Sequence, residues 1–211
     1  MATGFGIMDA LNEDIKVGVE HKGNIIAGRK KQTEFDFYET PKWATEKAVV
    51  AMLKDKILSE NDDIYEPCCG AGAISDILEL YGFKNIKKSD IQTADYIKGE
   101  KGIDVYDLKD NACEVILTNP PYNRMTKDNM LNEFLRISKK KVILLLNIFF
   151  LSSKDRKEML ENSHLRHIYI HSDRVTMYPY GEEKPKNGGT KMFAWFVWDK
   201  EYKGEPTISW I

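Results

Sequence analysis

The run Glu114-Val115-Ile116-Leu117-Thr118 stops at Asn119-Pro120-Pro121-Tyr122, and this junction constrains the fold more than any other stretch. An apolar, β-branched run reads as a buried strand, and two successive prolines, which lack a backbone N–H, end it. The tetrapeptide therefore stands at a strand's carboxyl end. In an open α/β sheet that edge is where ligands bind, so an amide, two rigid prolines and an aromatic ring there form a candidate site. The competing reading is a turn that only terminates a strand. The rest of the chain decides between them.

Strand-like and helix-like stretches alternate around that junction. Thr40-Pro41 predicts a helix start, with Thr40 as N-cap and Pro41 in the first helical position, followed by an apolar face at Ala44, Ala48, Val49, Met52 and Leu53. Strands are expected at 62–66, 85–89, 114–118, 141–147 and 165–171, with a third short strand within 103–108. Helices are expected at 74–80, 127–137 and 152–161. This alternation predicts a mostly parallel sheet with helices on both faces. The tail breaks it: 192–198 and 207–210 are both strand-like with no helix between, which predicts antiparallel additions at the sheet edge. Residues 1–34 are polar and weakly periodic, with a basic cluster at Arg29, Lys30 and Lys31, and are expected to form a loose arm before one domain at 35–211.

Composition narrows the class. A chain of 211 residues, 42% hydrophobic, fits one globular domain with a sizeable core. The net charge of −2 exerts no global pull on nucleic acid, so any such contact must come from local basic patches. Cys68, Cys69 and Cys113 are odd in number and lack metal-ligand spacing, and the four histidines add none, so no metal site is expected. The cysteines read as reduced thiols. Without a secretory pattern or an apolar span of membrane length, a soluble cytoplasmic protein is expected.

The loop Glu66-Pro67-Cys68-Cys69-Gly70-Ala71-Gly72 carries the second constraint. Glycines at 70 and 72 allow a sharp turn and close approach of a ligand to the backbone, with the amino end of the next helix pointing at it. Asp90, ending the next strand, lies about 20 residues on, where a ribose-binding acid is expected in a nucleotide-binding βαβ unit. The third glycine of the dinucleotide fingerprint is absent. An acid-Pro pair entering the turn, an acid ending the next strand and Asn-Pro-Pro-Tyr ending a later one are jointly more specific than any of them alone.

Three stretches, Tyr38-Glu39-Thr40-Pro41, Glu66 to Gly72 and Asn119-Pro120-Pro121-Tyr122, resemble the class I S-adenosylmethionine-dependent methyltransferases of the amino-methylating type. Within them the chain is most similar to small phage or prophage adenine-specific DNA methyltransferases. The resemblance implies a Rossmann-like, seven-stranded α/β sheet with one antiparallel strand near its end. It implies that Tyr38, Thr40 and Pro41 close over the methionine part of S-adenosylmethionine, and that Glu66, Cys68, Gly70 and Gly72 line its pocket. Asp90 would hold the ribose, and Asp104 the cofactor's adenine, a role for which Asp107 also stands close. The implied substrate is DNA, with RNA as an alternative.

The chemistry also follows from residue types. The exocyclic amine of adenine is a poor nucleophile because its lone pair is delocalised into the ring, so a site must localise that pair and align it with a methyl donor. The Asn119 side-chain oxygen and the Pro120 carbonyl offer two acceptors for the amine's two N–H bonds, stabilising charge that develops on nitrogen. Pro120 and Pro121 hold that carbonyl in place. Tyr122 offers a ring for base stacking, worth roughly 1–3 kcal/mol, against the competing reading of a core aromatic.

Other features divide between function and structure. Phe149-Phe150 reads either as a pocket wall or as core. Tyr178, Tyr180, Lys184, Lys186 and Lys191 lie in a basic, Gly-containing connection suited to nucleic-acid backbone, or to a solvated loop. His167 and His171 read as structural. Sequence-specific relatives usually carry a long recognition region, and here little chain remains for one. The alternatives are therefore methylation of RNA adenine or of a glutamine side-chain amide, or a Rossmann-like module that binds nucleic acid or a partner without turnover.

Overall fold

A computed structural model describes residues 38–127, 129–179 and 191–211. The expected amino-terminal arm, with its Arg29, Lys30 and Lys31, lies outside the described residues.

The elements run β1 (Tyr38–Glu39), α1 (Lys42–Lys54), β2 (Ile64–Glu66), α2 (Ala73–Leu80), β3 (Ile86–Asp90) and β4 (Glu100–Lys101). After a 3-10 turn at Val105–Asp107 come β5 (Cys113–Thr118), α3 (Tyr122–Lys127), α4 (Met130–Ile137), β6 (Ser138–Asn147), α5 (Lys157–Asn162) and β7 (Leu165–Ile170). The chain closes with β8 (Tyr178–Pro179), β9 (Phe193–Asp199) and β10 (Thr207–Trp210). Among the described residues the main sheet has eight strands in the order β10-β7-β9-β6-β5-β2-β3-β4. All its pairings are parallel except those of β9, which runs antiparallel to both β6 and β7. This is a Rossmann-like, mostly parallel α/β sheet, as expected, with one strand more than the expected seven. The addition is the two-residue β4 at the outer edge.

Periodicity explains how the sheet is covered. Along β6, Ile143 and Leu145 pack into one core, shared with α1 and α2, while Val142, Leu144 and Leu146 pack into the other, shared with α4. Strand β9 does the same, with Phe193, Trp195 and Val197 on the first face and Ala194, Phe196 and Trp198 on the second. A strand covered on both faces reads as a continuous apolar run, which is why these two segments are legible. Helix α4 contributes Met130, Leu131, Phe134 and Ile137, one stripe at helical spacing.

Four expectations change. The stretch 103–108 is not a strand but a turn, because the Asp104 carboxylate accepts from the Tyr106 N–H at 3.2 Å and bends the backbone. The expected 127–137 helix is two helices broken at Asn129, whose φ of 53° suits an asparagine in the left-handed region. The helix expected from 152 begins only at Lys157, after a 3-10 turn at Lys154–Arg156. In the tail, β9 is antiparallel but sits inside the sheet, and β10 pairs parallel with β7 at the edge. His167 ties these two strands, with Nε2 2.8 Å from the Ser209 Oγ.

Candidate active site

The sheet order reverses around β2, which lies between β3 and β5, and such a switch point opens a crevice at the strands' carboxyl ends. Glu66, Asp90 and Thr118 are the last residues of these three strands. A cleft of about 920 Å³, open mouth included, lies at this edge, with Glu66, Asp90, Tyr38, Thr40, Cys68, Asp104 and all four residues of Asn119-Pro120-Pro121-Tyr122 in its wall.

The glycine turn is built as its residues require. Gly70 and Gly72 have φ of 48° and 80°, and Gly72 sits at the amino end of α2. A Cβ on Gly72 would come within 2.8 Å of the Lys98 side chain. The turn is tied from two sides. The Gly70 N–H donates to Asp90 Oδ2 at 2.9 Å, and the Gly70 carbonyl accepts from the Lys98 N–H at 3.0 Å. Neither glycine, nor Pro41, lines the cleft itself; they shape the backbone beneath those that do.

The two strand-end acids differ. Asp90, 5% exposed, also accepts from the Gln92 N–H at 2.9 Å through Oδ1. Burial raises its carboxyl, and the amides of Gln92, Gly70 and Ile91 pull it back. The carboxylate keeps acceptor capacity beyond these amides for a hydroxyl of a bound sugar. Glu66 is 1% exposed, and its Oε2 has no hydrogen-bond partner. Burial holds the Glu66 carboxyl well above the usual range, and Ser75 and Lys88 offset only part of that. An orphaned buried carboxyl oxygen in a cleft wall fits a cationic ligand group, which would supply the missing partner.

Asn119 is held at both ends of its amide. Its Nδ2 donates to Thr40 Oγ1 at 3.0 Å and lies 3.8 Å from Met177 Sδ, while its Oδ1 accepts from the Tyr122 hydroxyl at 2.6 Å. This corrects the expected N-cap. Pro41 takes the cap position of α1, no side chain caps the helix, and the Thr40 hydroxyl turns to Asn119 instead. The Tyr122 ring lies 5.8 Å from that of Phe193, tilted 32°, and burial pushes its phenol up, so it stays a protonated donor. Strand β1 pairs antiparallel with β8, Tyr38 opposite Pro179 and Glu39 opposite Tyr178, and this ribbon carries Thr40 and Met177 on its flanks.

On the far side, Asp104 Oδ2 lies 3.6 Å from Arg124 Nη2, and the Arg124 guanidinium stacks 4.9 Å from the Tyr106 ring centroid. Asp104 and Arg124 line the cleft and Asp107 does not. Of the Phe pair, Phe150 is core, packed edge-on against Phe196 and Trp198, and Phe149 is 64% exposed. In the basic connection, Tyr180, Lys184 and Lys186 lie outside the described residues, Tyr178 is placed only as part of β8, and Lys191 is exposed. The three cysteines are free thiols that burial raises, Cys69 to about 12 and Cys113 to about 11. Among the described residues no group of three His, Cys, Asp or Glu side chains could hold a metal ion, and no helix is long and apolar enough to cross a membrane.

Gln92, Gly99, Arg124 and Met177 carry site geometry that the sequence reading missed. Gly99 is a backbone contact: a Cβ there would stand 2.6 Å from the Lys88 carbonyl carbon and 2.8 Å from Cys69 Sγ. The Lys98-Gly99 pair has no turn signature, and Met177 acquires its place only through the pairing of β1 with β8.

No known family model matches the sequence, and no curated protein matches it. Solved structures do match. A candidate RNA methyltransferase from Pyrococcus horikoshii aligns over 78% of this chain and 87% of its own, with a TM-score of 0.59 and 14% identity. A candidate class I S-adenosylmethionine-dependent methyltransferase from Listeria monocytogenes aligns over 88% of this chain and 68% of its own, with a TM-score of 0.55 and 14% identity. The modification subunit of a candidate type I restriction enzyme from Vibrio vulnificus aligns over 85% of this chain but 48% of its own, with a TM-score of 0.54 and 14% identity. At this identity the likeness concerns the fold, which is that of class I S-adenosylmethionine-dependent methyltransferases.

Proposed function

We propose that this protein transfers a methyl group from S-adenosylmethionine to the exocyclic N6 amine of adenine in DNA. The observation that carries the reading is the position of Asn119-Pro120-Pro121-Tyr122 in the wall of the same cleft as Glu66 and Asp90. An amine-accepting motif and the strand-end acids of a nucleotide site thus share one opening at the switch point.

The residues present fit the cofactor. The unpartnered Glu66 oxygen would receive its ammonium group, the remaining acceptor capacity of Asp90 its ribose, and Asp104 its adenine amine. S-adenosylmethionine, when bound, supplies a methyl group made electrophilic by a sulfonium. The protein's part is positioning and electrostatics. Asn119 Oδ1 and the Pro120 carbonyl accept the two N–H bonds of the target amine, holding its lone pair out of the ring plane and stabilising the positive charge it acquires. The surplus proton leaves to solvent after transfer, so a general base of matched pKa is not required. The prolines keep the carbonyl fixed, and the Tyr122 ring offers the base an apolar neighbour.

RNA adenine is the second reading. It is supported by the likeness to the candidate RNA methyltransferase, of which this chain spans 87%. The test is incubation with methyl-labelled cofactor and a panel of DNA, RNA and release-factor protein, followed by digestion and separation of the products. N6-methyladenine from DNA supports the proposal, and label in RNA or glutamine moves the assignment. Absence of label from all three, with cofactor bound, supports a binding module without turnover.

A further inference from the structure

We infer that Thr40 is a positioning residue for the reaction: its hydroxyl anchors the inner end of the Asn119 amide, whose polarity is selected by the acceptor-only sulfur of Met177, so that Oδ1 faces the substrate. The inference rests on the reading of Asn119 as the acceptor of the target amine.

An asparagine amide is nearly symmetric in shape and opposite in polarity at its two ends, and its terminal torsion has two broad wells. One well would present Oδ1 to the substrate's N–H bonds. The other would present Nδ2, setting donor against donor. Something must therefore choose between them. The Asn119 amide nitrogen lies 3.0 Å from Thr40 Oγ1 and 3.8 Å from Met177 Sδ, and a thioether sulfur can only accept. At the other end the Tyr122 hydroxyl is 2.6 Å from Oδ1 and 3.3 Å from Met177 Sδ, so its one proton goes to the nearer oxygen. A threonine hydroxyl can accept or donate and would pair with either end of the amide, so the sulfur, which only accepts, selects nitrogen for this end. Thr40 Oγ1, the nearer and stronger acceptor, holds it there.

Thr40 is placed to do this rigidly. It is 4% exposed, lies between the β1–β8 pairing and the first turn of α1, and spends its hydroxyl on no helix cap. A buried donor left unpaired is costly, so the Asn119 nitrogen stays with Thr40 whether or not substrate is present. Substrate binding asks only that the Tyr122 hydroxyl yield its place at Oδ1. The device separates the two ends of one amide: Thr40 and Met177 hold the nitrogen end, and the pocket end changes partner.

The test uses the full chain as wild type, Thr40→Ser, Thr40→Val and, as a second apolar variant in case the valine form does not fold, Thr40→Ala. Two readouts are taken. The first is methyl transfer from labelled S-adenosylmethionine to adenine-containing DNA, with kcat separated from the cofactor's dissociation constant. Loss of the hydroxyl should lower kcat, read at saturating cofactor, about ten-fold, the value of one hydrogen bond, with serine restoring the rate. The second needs no turnover: exchange of the Asn119 side-chain amide protons, assigned by their disappearance in Asn119→Ala. Protection in wild type and in Thr40→Ser, lost in Thr40→Val, is the expected pattern. A wild-type kcat in Thr40→Val, an equal loss in serine and valine, or weakened cofactor binding with kcat unchanged at saturation would each overturn the inference. If no DNA, RNA or protein substrate is methylated, the proposed function fails, while amide protection still decides whether Thr40 holds Asn119.

Discussion

The Tyr122 hydroxyl donates to Asn119 Oδ1 at 2.6 Å, so the oxygen that Asn119 would offer a substrate amine is already engaged by a neighbour in its own motif. A substrate must replace that contact with its own N–H, exchanging one hydrogen bond for another. The free site is thereby kept from holding an unsatisfied buried acceptor.

Tyr122→Phe removes the competitor and keeps the ring. It should lower KM for the nucleic-acid substrate several-fold, within the roughly ten-fold that one hydrogen bond represents, and leave kcat near wild type. Tyr122→Ala, which also removes the stacking surface, should lose most activity. Steady-state kinetics on one oligonucleotide separate the two, and loss of turnover in Tyr122→Phe would assign the hydroxyl a direct part in transfer.

Glu66 makes stability and binding respond to pH in opposite directions. Burial raises its carboxyl in the folded protein, so its contribution is fully present below the unfolded value and is lost as pH rises through the raised one. Glu66→Gln, neutral throughout, should therefore melt higher than wild type at pH 8 without cofactor, with the difference shrinking toward pH 4.5. The same variant should bind S-adenosylmethionine more weakly, having lost the charge proposed to pair with its ammonium group. A lower melting temperature at pH 8 would show the ionised carboxylate to be stabilising.

Gly99 is predicted to tolerate substitution less well than Gly72. An added Cβ at Gly99 meets the Lys88 backbone at 2.6 and 2.7 Å, whereas at Gly72 its nearest contact is the flexible Lys98 side chain. Gly72→Ala carries the left-handed backbone cost of about 1–2 kcal/mol. Gly99→Ala forces β3 away from the glycine turn, and overpacking of that kind costs about 1–3 kcal/mol. Because β3 also carries Asp90, Gly99→Ala should lose cofactor affinity as well as stability, measured by denaturant melts and titration.

His171 should set acid sensitivity. It is 7% exposed, neither ring nitrogen has a partner, and its ring meets Trp43 edge-on at 5.4 Å. Burial, helped by Lys47 and opposed by Asp173, lowers its pKa to about 4. The unfolded chain then binds the proton more readily, so stability is present above the unfolded value near 6.5 and falls as pH drops toward 4. At pH 5 the loss is about 2 kcal/mol. His171→Phe keeps the aromatic contact and should flatten the stability profile between pH 6.5 and 4; an unchanged profile would assign the acid response elsewhere.

What was legible in the sequence follows from the range of the interactions involved. The buried strands β5, β6 and β9 announce themselves because both faces are apolar, and the Gly70–Gly72 turn because only glycine takes its φ values. The placement of Glu66, Asp90 and Asn119 at one edge follows from strand order once a parallel sheet is inferred. The partners of Asn119 do not follow. Thr40 precedes it by 79 positions and Met177 follows it by 58, and neither contact has a local signature. Thr40-Pro41 carries the local pattern of a helix cap, and a long-range hydrogen bond overrides it. Asp104 shows the converse: a local side-chain contact to Tyr106 turns an expected strand into a 3-10 turn.

The central claim is that the cleft over β2, β3 and β5 seats S-adenosylmethionine next to, but not on, Asn119. Calorimetric titration of the cofactor into wild type, Asp90→Ala and Asn119→Ala tests it most directly. The account predicts saturable binding to wild type, affinity nearly unchanged in Asn119→Ala, and a loss of at least about ten-fold in Asp90→Ala, which removes both the ribose acceptors and the tether on Gly70. Absence of binding to wild type, or equal affinity in Asp90→Ala, would contradict it.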